Sequence, residues 1–236
     1  MIIQYTYVCK NNIMKVFIIN EPNTENSIFC YIKNVFNEQE ISEIRDYLDN
    51  TRGFEDNLNY NRNTVIRKQK WFQTEGKYFC SEWKGRFPRW NGNTYNTTLA
   101  YIQEKLLEKL KNFNLEAIGF NMEKFNSCLI NKYSDKDYIR AHRDTDKSFG
   151  TEPTIIGLSI GSSRRMSFKR VHYNGSNRNL SKKDHKNKYL NFSQDLESGS
   201  VFLMGGASQK FWTHEIEKPT LNQGVRYSLT FRNHIL

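Results

Sequence analysis

The stretch RYSLTFR, residues 226–232, decides how the rest of the chain is read. Its polar side chains, Arg226, Ser228, Thr230 and Arg232, alternate with Tyr227, Leu229 and Phe231, which is the period of a β-strand with one polar and one apolar face. On an edge strand both arginines would stand in water. On a strand buried on both faces they lie inside a barrel, which is costly unless an anion meets them. A dicarboxylate satisfies that requirement, because guanidinium groups pair with carboxylates in bidentate fashion. In LINKY, residues 129–133, Asn131 and Tyr133 also share a face and offer neutral donors to the same acid.

Similar short runs fill the chain after residue 115: SCLINKY (127–133), TIIGLSIG (154–161), RRMSFKRV (164–171), SGSVFLMGG (198–206) and KFWTHEI (210–216). Gly, Asn and Pro punctuate them. Two helices are predicted earlier. FNEQEISEIRDYLDN (36–50) is capped by Asn37 and carries Ile41, Ile44 and Leu48 on one face. NTTLAYIQEKLLEKLKNF (96–113) carries the stripe Leu99, Ile102, Leu106, Leu110 and Phe113. Helices first and many short strands afterwards predict an α+β chain in which helices pack against a β-sandwich or barrel. HYNGSNRNLSKKDHKNK (172–188) reads as a polar loop.

The 236 residues suffice for one substantial core, and 37% hydrophobic with 14% aromatic residues exclude a disordered tail. No run approaches the roughly 20 apolar residues of a membrane span, and a basic n-region followed by an apolar h-region is missing. An intracellular location, nucleus or cytoplasm, is expected. Cys9, Cys30, Cys80 and Cys128 are far apart and read as reduced thiols.

The net charge of +10 is concentrated in two segments. Residues 61–90 carry eight basic side chains against Glu75 and Glu82, and residues 164–190 carry nine against Asp184. In the first segment the bases alternate with Trp71, Phe72, Tyr78, Phe79, Trp83, Phe87 and Trp90. That mixture suits nucleic acid, since cations neutralise phosphates while flat side chains stack on bases. A twisted hairpin with aromatics inward and soluble lysines outward would produce the same pattern.

YIRAHRDTDKSFG, residues 138–150, holds His142 and Asp144 two positions apart, so on an extended segment both leave the same face and can converge on one ion. A third ligand must come from elsewhere, and His214, at the end of another predicted strand, is best placed. Two His and one carboxylate suit a non-haem Fe(II) oxygenase, and a catalytic zinc hydrolase could use similar ligands. An organic-acid site beside the metal would distinguish the two. His172, His185 and His234 read as surface residues.

Taken together, NKY, HRD, THEIEKP and RYSLTFR resemble, in order and approximate spacing, the AlkB-like Fe(II)/2-oxoglutarate dioxygenases, and FNSCLINKYSDKDYIRAHRDTDKSFG, PTIIGLSIGSSRRMSFK and LESGSVFLMGGASQKFWTHEIEKP resemble their eukaryotic repair branch. The likeness runs from about residue 65 to the C-terminus. It implies a double-stranded β-helix (jelly-roll) core with N-terminal helices packed on it and a β-rich nucleotide-recognition lid. Residues 1–60 would be an N-terminal strand/helix elaboration, 61–92 the lid and 93–236 the helix and jelly roll of one catalytic domain. The resemblance implies iron ligands His142, Asp144 and His214, and a 2-oxoglutarate site of Asn131, Tyr133, Arg226, Ser228 and Arg232, with one arginine on the distal carboxylate. Substrate contacts would come from Asp146, Arg164, Lys68, Lys70, Trp71, Tyr78 and Phe79.

The implied reaction is oxidative demethylation of N1-methyladenine- or N3-methylcytosine-type bases in DNA or RNA, using Fe(II), 2-oxoglutarate and O₂ and releasing succinate and formaldehyde. The base would be single-stranded or flipped, and the protein monomeric and off the membrane. Two positions depart from the family: it usually has asparagine where Ser228 stands, and repair homologues often have a second carboxylate where Thr145 stands. The alternatives are a 2-oxoglutarate-dependent hydroxylase or demethylase of protein, and a catalytically silent nucleic-acid-binding module.

Overall fold

A computed structural model describes residues 2–9, 12–21, 24–54, 67–123, 125–171 and 191–235. Among these residues the strands are β1 (Ile2–Cys9), β2 (Asn12–Ile19), β3 (Ser27–Ile32), β4 (Lys68–Gln73), β5 (Ser127–Tyr133), β6 (Ile139–His142), β7 (Ile155–Gly161), β8 (Arg164–Arg170), β9 (Phe192–Leu196), β10 (Val201–Gly206), β11 (Trp212–Ile216) and β12 (Arg226–Arg232). The helices are α1 (Glu38–Asn50), α2 (Thr97–Leu110), and two single turns, α3 (Asp146–Phe149) and α4 (Ser208–Phe211).

The strands form an eight-stranded sheet in the order β1-β2-β3-β10-β7-β12-β5-β4 and a four-stranded sheet in the order β6-β11-β8-β9. From β5 onward the chain steps back and forth between the two, and all their strand pairs are antiparallel. This is a double-stranded β-helix, the jelly roll, with helices on one flank. β1 to β3 extend the large sheet at one end and β4 ends it at the other, so segments 1–60 and 61–92 both contribute strands to the sheet that carries β5, β7, β10 and β12.

Both long helices form where their periodicity places them. Asn37 caps α1 in a reciprocal box, its Oδ1 accepting from Glu40 N at 2.9 Å while Glu40 Oε2 accepts from Asn37 N at 2.9 Å. Asn96 caps α2 by accepting from Leu99 N at 2.8 Å. The α2 stripe Leu99, Ile102, Leu106 and Leu110 packs with Leu48 of α1 against Ile130, Leu158, Leu203, Tyr227, Leu229 and Phe231. Burying each such side chain stabilises the fold by about 1.5–3 kcal/mol, an upper bound referenced to an extended chain. The opposite face of β12 therefore points between the sheets. There Phe29 meets Phe168 and Trp212 edge-on, at 5.1 and 5.5 Å between ring centroids.

Three features differ from expectation. KFWTHEI is not strand throughout, because its first residues complete α4 before β11 begins. Gly206 allows that turn: its φ is +55° and a Cβ there would lie 2.0 Å from Asn26 O. β6 and β9 lie outside the predicted runs; β6, Ile-Arg-Ala-His, alternates in composition but is only 4 residues long, and its burial does not alternate. Among the described residues the lid holds one strand, β4, followed by 3₁₀ turns at Ser81–Trp83 and Pro88–Trp90, rather than a β-rich unit. Pro88 supplies the fixed φ that opens the second turn. Among the described residues, no helix is long and apolar enough to cross a membrane.

Candidate active site

β6 and β11 pair antiparallel so that His142 and His214 stand directly opposite each other, with ring centroids 4.3 Å apart. Asp144 follows β6 immediately, and one ligand atom from each of the three residues lies within 4.8 Å of the others. His142 Nδ1 donates to Arg140 O at 2.9 Å, which fixes the tautomer and leaves Nε2, 3.9 Å from Asp144 Oδ1, free to bind a cation. Burial, reinforced by the neighbouring His142, pushes the His214 pKa down to about 3, and burial also lowers that of His142. Both rings are thus neutral at physiological pH, the form that ligates a metal. Burial would raise the Asp144 pKa, but Arg232 Nε, donating to Oδ2 at 2.6 Å, overrides it and holds the carboxyl below its ordinary range. Gln209 Oε1 accepts from Asp144 N at 2.8 Å and steadies the loop.

Beside the cluster, a cavity of about 230 Å³ opens between the sheets, lined by Asn131, Tyr133, Arg226, Ser228, Thr230 and Arg232 among others. Arg226 is 2% exposed. Its Nη2 donates to Ser159 Oγ at 3.0 Å and its guanidinium lies over the Tyr133 ring at 5.2 Å, yet among the described residues its buried Nε and Nη1 meet no hydrogen-bond acceptor. A buried cation in that condition costs several kcal/mol, and a carboxylate in the cavity removes the cost. Asn131 Oδ1 accepts from Arg67 Nε at 2.9 Å and Gln69 Nε2 at 3.0 Å, which orients the amide with its NH₂ as the remaining donor. Ser228 lines the cavity, its hydroxyl 3.4 Å from Thr230 Oγ1. A His-Asp-His cluster with two arginines, an amide and a phenol beside it suits a divalent metal and a small dicarboxylate together.

The expected substrate residues fare unevenly. Phe79 lines the cavity with Trp83 and Trp90. The three rings form a near-parallel ladder, Phe79 lying 4.2 Å from Trp90 at 25° and 6.0 Å from Trp83 at 15°. Trp71 is fully buried instead, its Nε1 donating to Lys77 O at 3.0 Å and its ring packed on Phe79, Phe149 and His234, so it is a packing residue. The Tyr78 hydroxyl donates to Phe87 O at 2.9 Å and shapes the turn. Lys68 and Lys70 alternate with Gln69, which lines the cavity, so they lie on the other face of β4, where Lys70 Nζ donates to Arg52 O at 2.6 Å.

Arg164 is 1% exposed, does not line the cavity, and donates to the carbonyls of Ser134, Ser163, Gln223 and Gly224; it ties loops together behind the site. Asp146 opens α3 and is exposed, lining an adjoining depression with Trp83, Thr145, Lys147 and Lys210. His234 is 3% exposed rather than a surface residue, with Nε2 3.0 Å from Phe79 O. His172, His185 and residues 61–66 lie outside the described residues. Sequence reasoning missed Arg67, Gln69, Arg143, Ser159, Trp83 and Trp90 as lining residues. The two-residue alternation of β4 would have flagged Gln69, but the facing of the 3₁₀ turns has no such signal.

The model of the 2OG-Fe(II) oxygenase superfamily matches residues 29–232. The chain is 32% identical over 118 residues to DNA oxidative demethylase ALKBH2 of Arabidopsis thaliana, a match covering 46% of this chain and 38% of that protein. It is 31% identical over 129 residues to human alpha-ketoglutarate-dependent dioxygenase alkB homolog 3, covering 54% and 42% respectively. The matched region thus spans less than half the length of these relatives. Among solved structures, that of OsALKBH1 superposes with a TM-score of 0.56 at 14% identity, covering 87% of this chain and 96% of that one. The Trichoplax adhaerens prolyl hydroxylase superposes with a TM-score of 0.51 at 11% identity, covering 88% and 83%. Both structures share the fold.

Proposed function

The chain belongs to the 2OG-Fe(II) oxygenase superfamily, whose members use Fe(II), 2-oxoglutarate and O₂, and from that premise we propose that it oxidatively removes N-methyl groups from bases of DNA or RNA. His142, Asp144 and His214 would hold the iron, which when bound supplies the activation of O₂. Arg226, with Tyr133 beside it, would bind one carboxylate of 2-oxoglutarate, and Asn131 and Ser228 would orient the rest. Arg232 holds the Asp144 carboxylate in its ionised, ligating form. O₂ and 2-oxoglutarate would be converted to succinate and CO₂ while the N-methyl group would be hydroxylated and leave as formaldehyde, restoring N–H on the base.

The observation that carries this reading is the buried, incompletely paired Arg226 guanidinium opening onto the His-Asp-His cluster. The aromatic ladder lining the cavity, with the exposed cations Lys84 and Arg86 nearby in the chain, supports a nucleic-acid substrate, as does the name of the Arabidopsis thaliana relative, a DNA oxidative demethylase. Because the cavity lies between the sheets, the base would be single-stranded or flipped from its stack. The protein would act as a monomer, in nucleus or cytoplasm. The test is incubation with iron, ascorbate, 2-oxoglutarate and methylated oligonucleotides, following base mass and formaldehyde. Unchanged methylated DNA and RNA alongside 2-oxoglutarate turnover driven by a peptide would move the substrate class to protein.

A further inference from the structure

The cavity is electrostatically lopsided. Arg67, Arg143, Arg226 and Arg232 line it, and among the described residues Asp144 is the one carboxylate that does. The charges of Fe(II) and the 2-oxoglutarate dianion cancel each other, and both imidazoles are neutral, so the excess of guanidinium groups persists in the loaded site. Asp137 offsets part of the Arg67 charge but lies off the lining. Asp146 sits in the adjoining depression beside Lys147 and Lys210. Thr145, which lines both spaces, contributes no charge.

The hydrogen-bonding inventory is lopsided in the same sense. Arg67 uses Nε on Asn131 Oδ1, and its other N–H groups have no acceptor among the described residues. Arg143 spends Nη1 on Lys210 O. The cavity lining therefore presents donors and positive charge, and among the described residues it holds no carboxylate besides Asp144 to accept from an exocyclic amino group. A base with a carbonyl beside its methylated nitrogen presents an acceptor there, as thymine O4 and guanine O6 do, whereas adenine N6 and cytosine N4 present donors.

We propose that the site takes an uncharged N-methylated base whose methylated ring nitrogen lies beside a carbonyl, of the 3-methylthymine or 1-methylguanine kind, in preference to cationic 3-methylcytosine or 1-methyladenine. This rests on the demethylase reading and narrows the substrate class that the sequence resemblance implies. One unneutralised charge about 8–10 Å from the base, at an effective dielectric of about 20–40, amounts to a preference of about tenfold.

The experiment pairs oligonucleotides identical but for one base, 3-methylthymine against 3-methylcytosine and 1-methylguanine against 1-methyladenine, and measures kcat/KM for each. Fluorescence anisotropy of the same oligonucleotides on metal-free protein gives a readout independent of turnover. The uncharged member should lead by about tenfold in both pairs. Thr145→Glu should move both ratios toward the cation, and Arg67→Gln, which keeps a donor for Asn131, should do the same. Faster turnover and tighter binding of the cationic members would overturn the proposal while leaving the demethylase reading intact. No demethylation of any of the four would bring down that reading and the proposal with it.

Discussion

Replacing Arg226 by methionine separates its functional cost from its structural cost. Among the described residues Ser159 Oγ, at 3.0 Å from Nη2, is the hydrogen-bond acceptor that its guanidinium meets, and the group also lies over Tyr133 at 5.2 Å. Those contacts contribute about 1 kcal/mol each. Against them stands the desolvation of a cation 2% exposed, and exchange of a poorly paired buried ion for an apolar side chain is typically neutral or stabilising by about 1–4 kcal/mol. The metal-loaded, cosubstrate-free variant should therefore melt no lower than the wild type, and up to about 16 °C higher at about 2–4 °C per kcal/mol. Adding 2-oxoglutarate at about 100 times its Kd should raise the wild-type Tm by about 5–10 °C, from about 2.7 kcal/mol of linkage, and leave the variant nearly unmoved. Losing a charged partner of a buried carboxylate costs about 2–5 kcal/mol, so KM for 2-oxoglutarate should rise at least about thirtyfold. Differential scanning fluorimetry with Mn(II), with and without 2-oxoglutarate, reads both effects. A variant that melts several degrees lower without ligand yet keeps its 2-oxoglutarate shift would show that Arg226 is structural.

Other perturbations test the remaining assignments. Replacing Lys84 and Arg86 of the exposed 84–86 turn with alanine should weaken oligonucleotide binding and reduce the magnitude of its log–log salt slope by about 1.5–2, whereas the same change at Lys68 and Lys70 should leave that slope within experimental error. The reverse outcome would put the phosphate path on the helix side of β4. Asp144→Asn, which removes the charge facing Arg232, should abolish turnover and lower metal affinity at least about tenfold by calorimetry; full metal retention would remove it from the cluster. Burial lowers the His234 pKa, so below about pH 6.5 the unfolded chain binds a proton that the folded chain does not, and stability falls with acidification until the folded pKa is passed. Urea melts at pH 7.5 and 5.5 should show a smaller drop for His234→Gln than for the wild type, and equal drops would refute that linkage.

Several elements were legible in local sequence because their signals are local. Asn37 and Glu40 sit at capping-box spacing, the Leu99–Leu110 stripe has the helical period, and RYSLTFR has the strand period. His142, Asp144 and His214 were legible as a set only because motifs far apart in the chain kept the order of a known family, and their convergence follows from the β6–β11 register.

What the sequence by itself determined is which residues of an element share a face; which face turns inward, and against what, was decided by tertiary structure. The same alternation that puts Arg226 and Arg232 in the cavity puts Lys68 and Lys70 outside it, because β4 ends the large sheet with its even-numbered side toward the helices. Arg164 and Arg226 both lie buried, yet one is surrounded by four carbonyls and the other meets a cavity. Trp71 and Trp83 come from one basic aromatic segment, and of the two only Trp83 lines the cavity. Periodicity is a property of the backbone and is written in neighbours, whereas the role of a buried charge or ring depends on partners tens of residues away, which only the folded chain brings within reach.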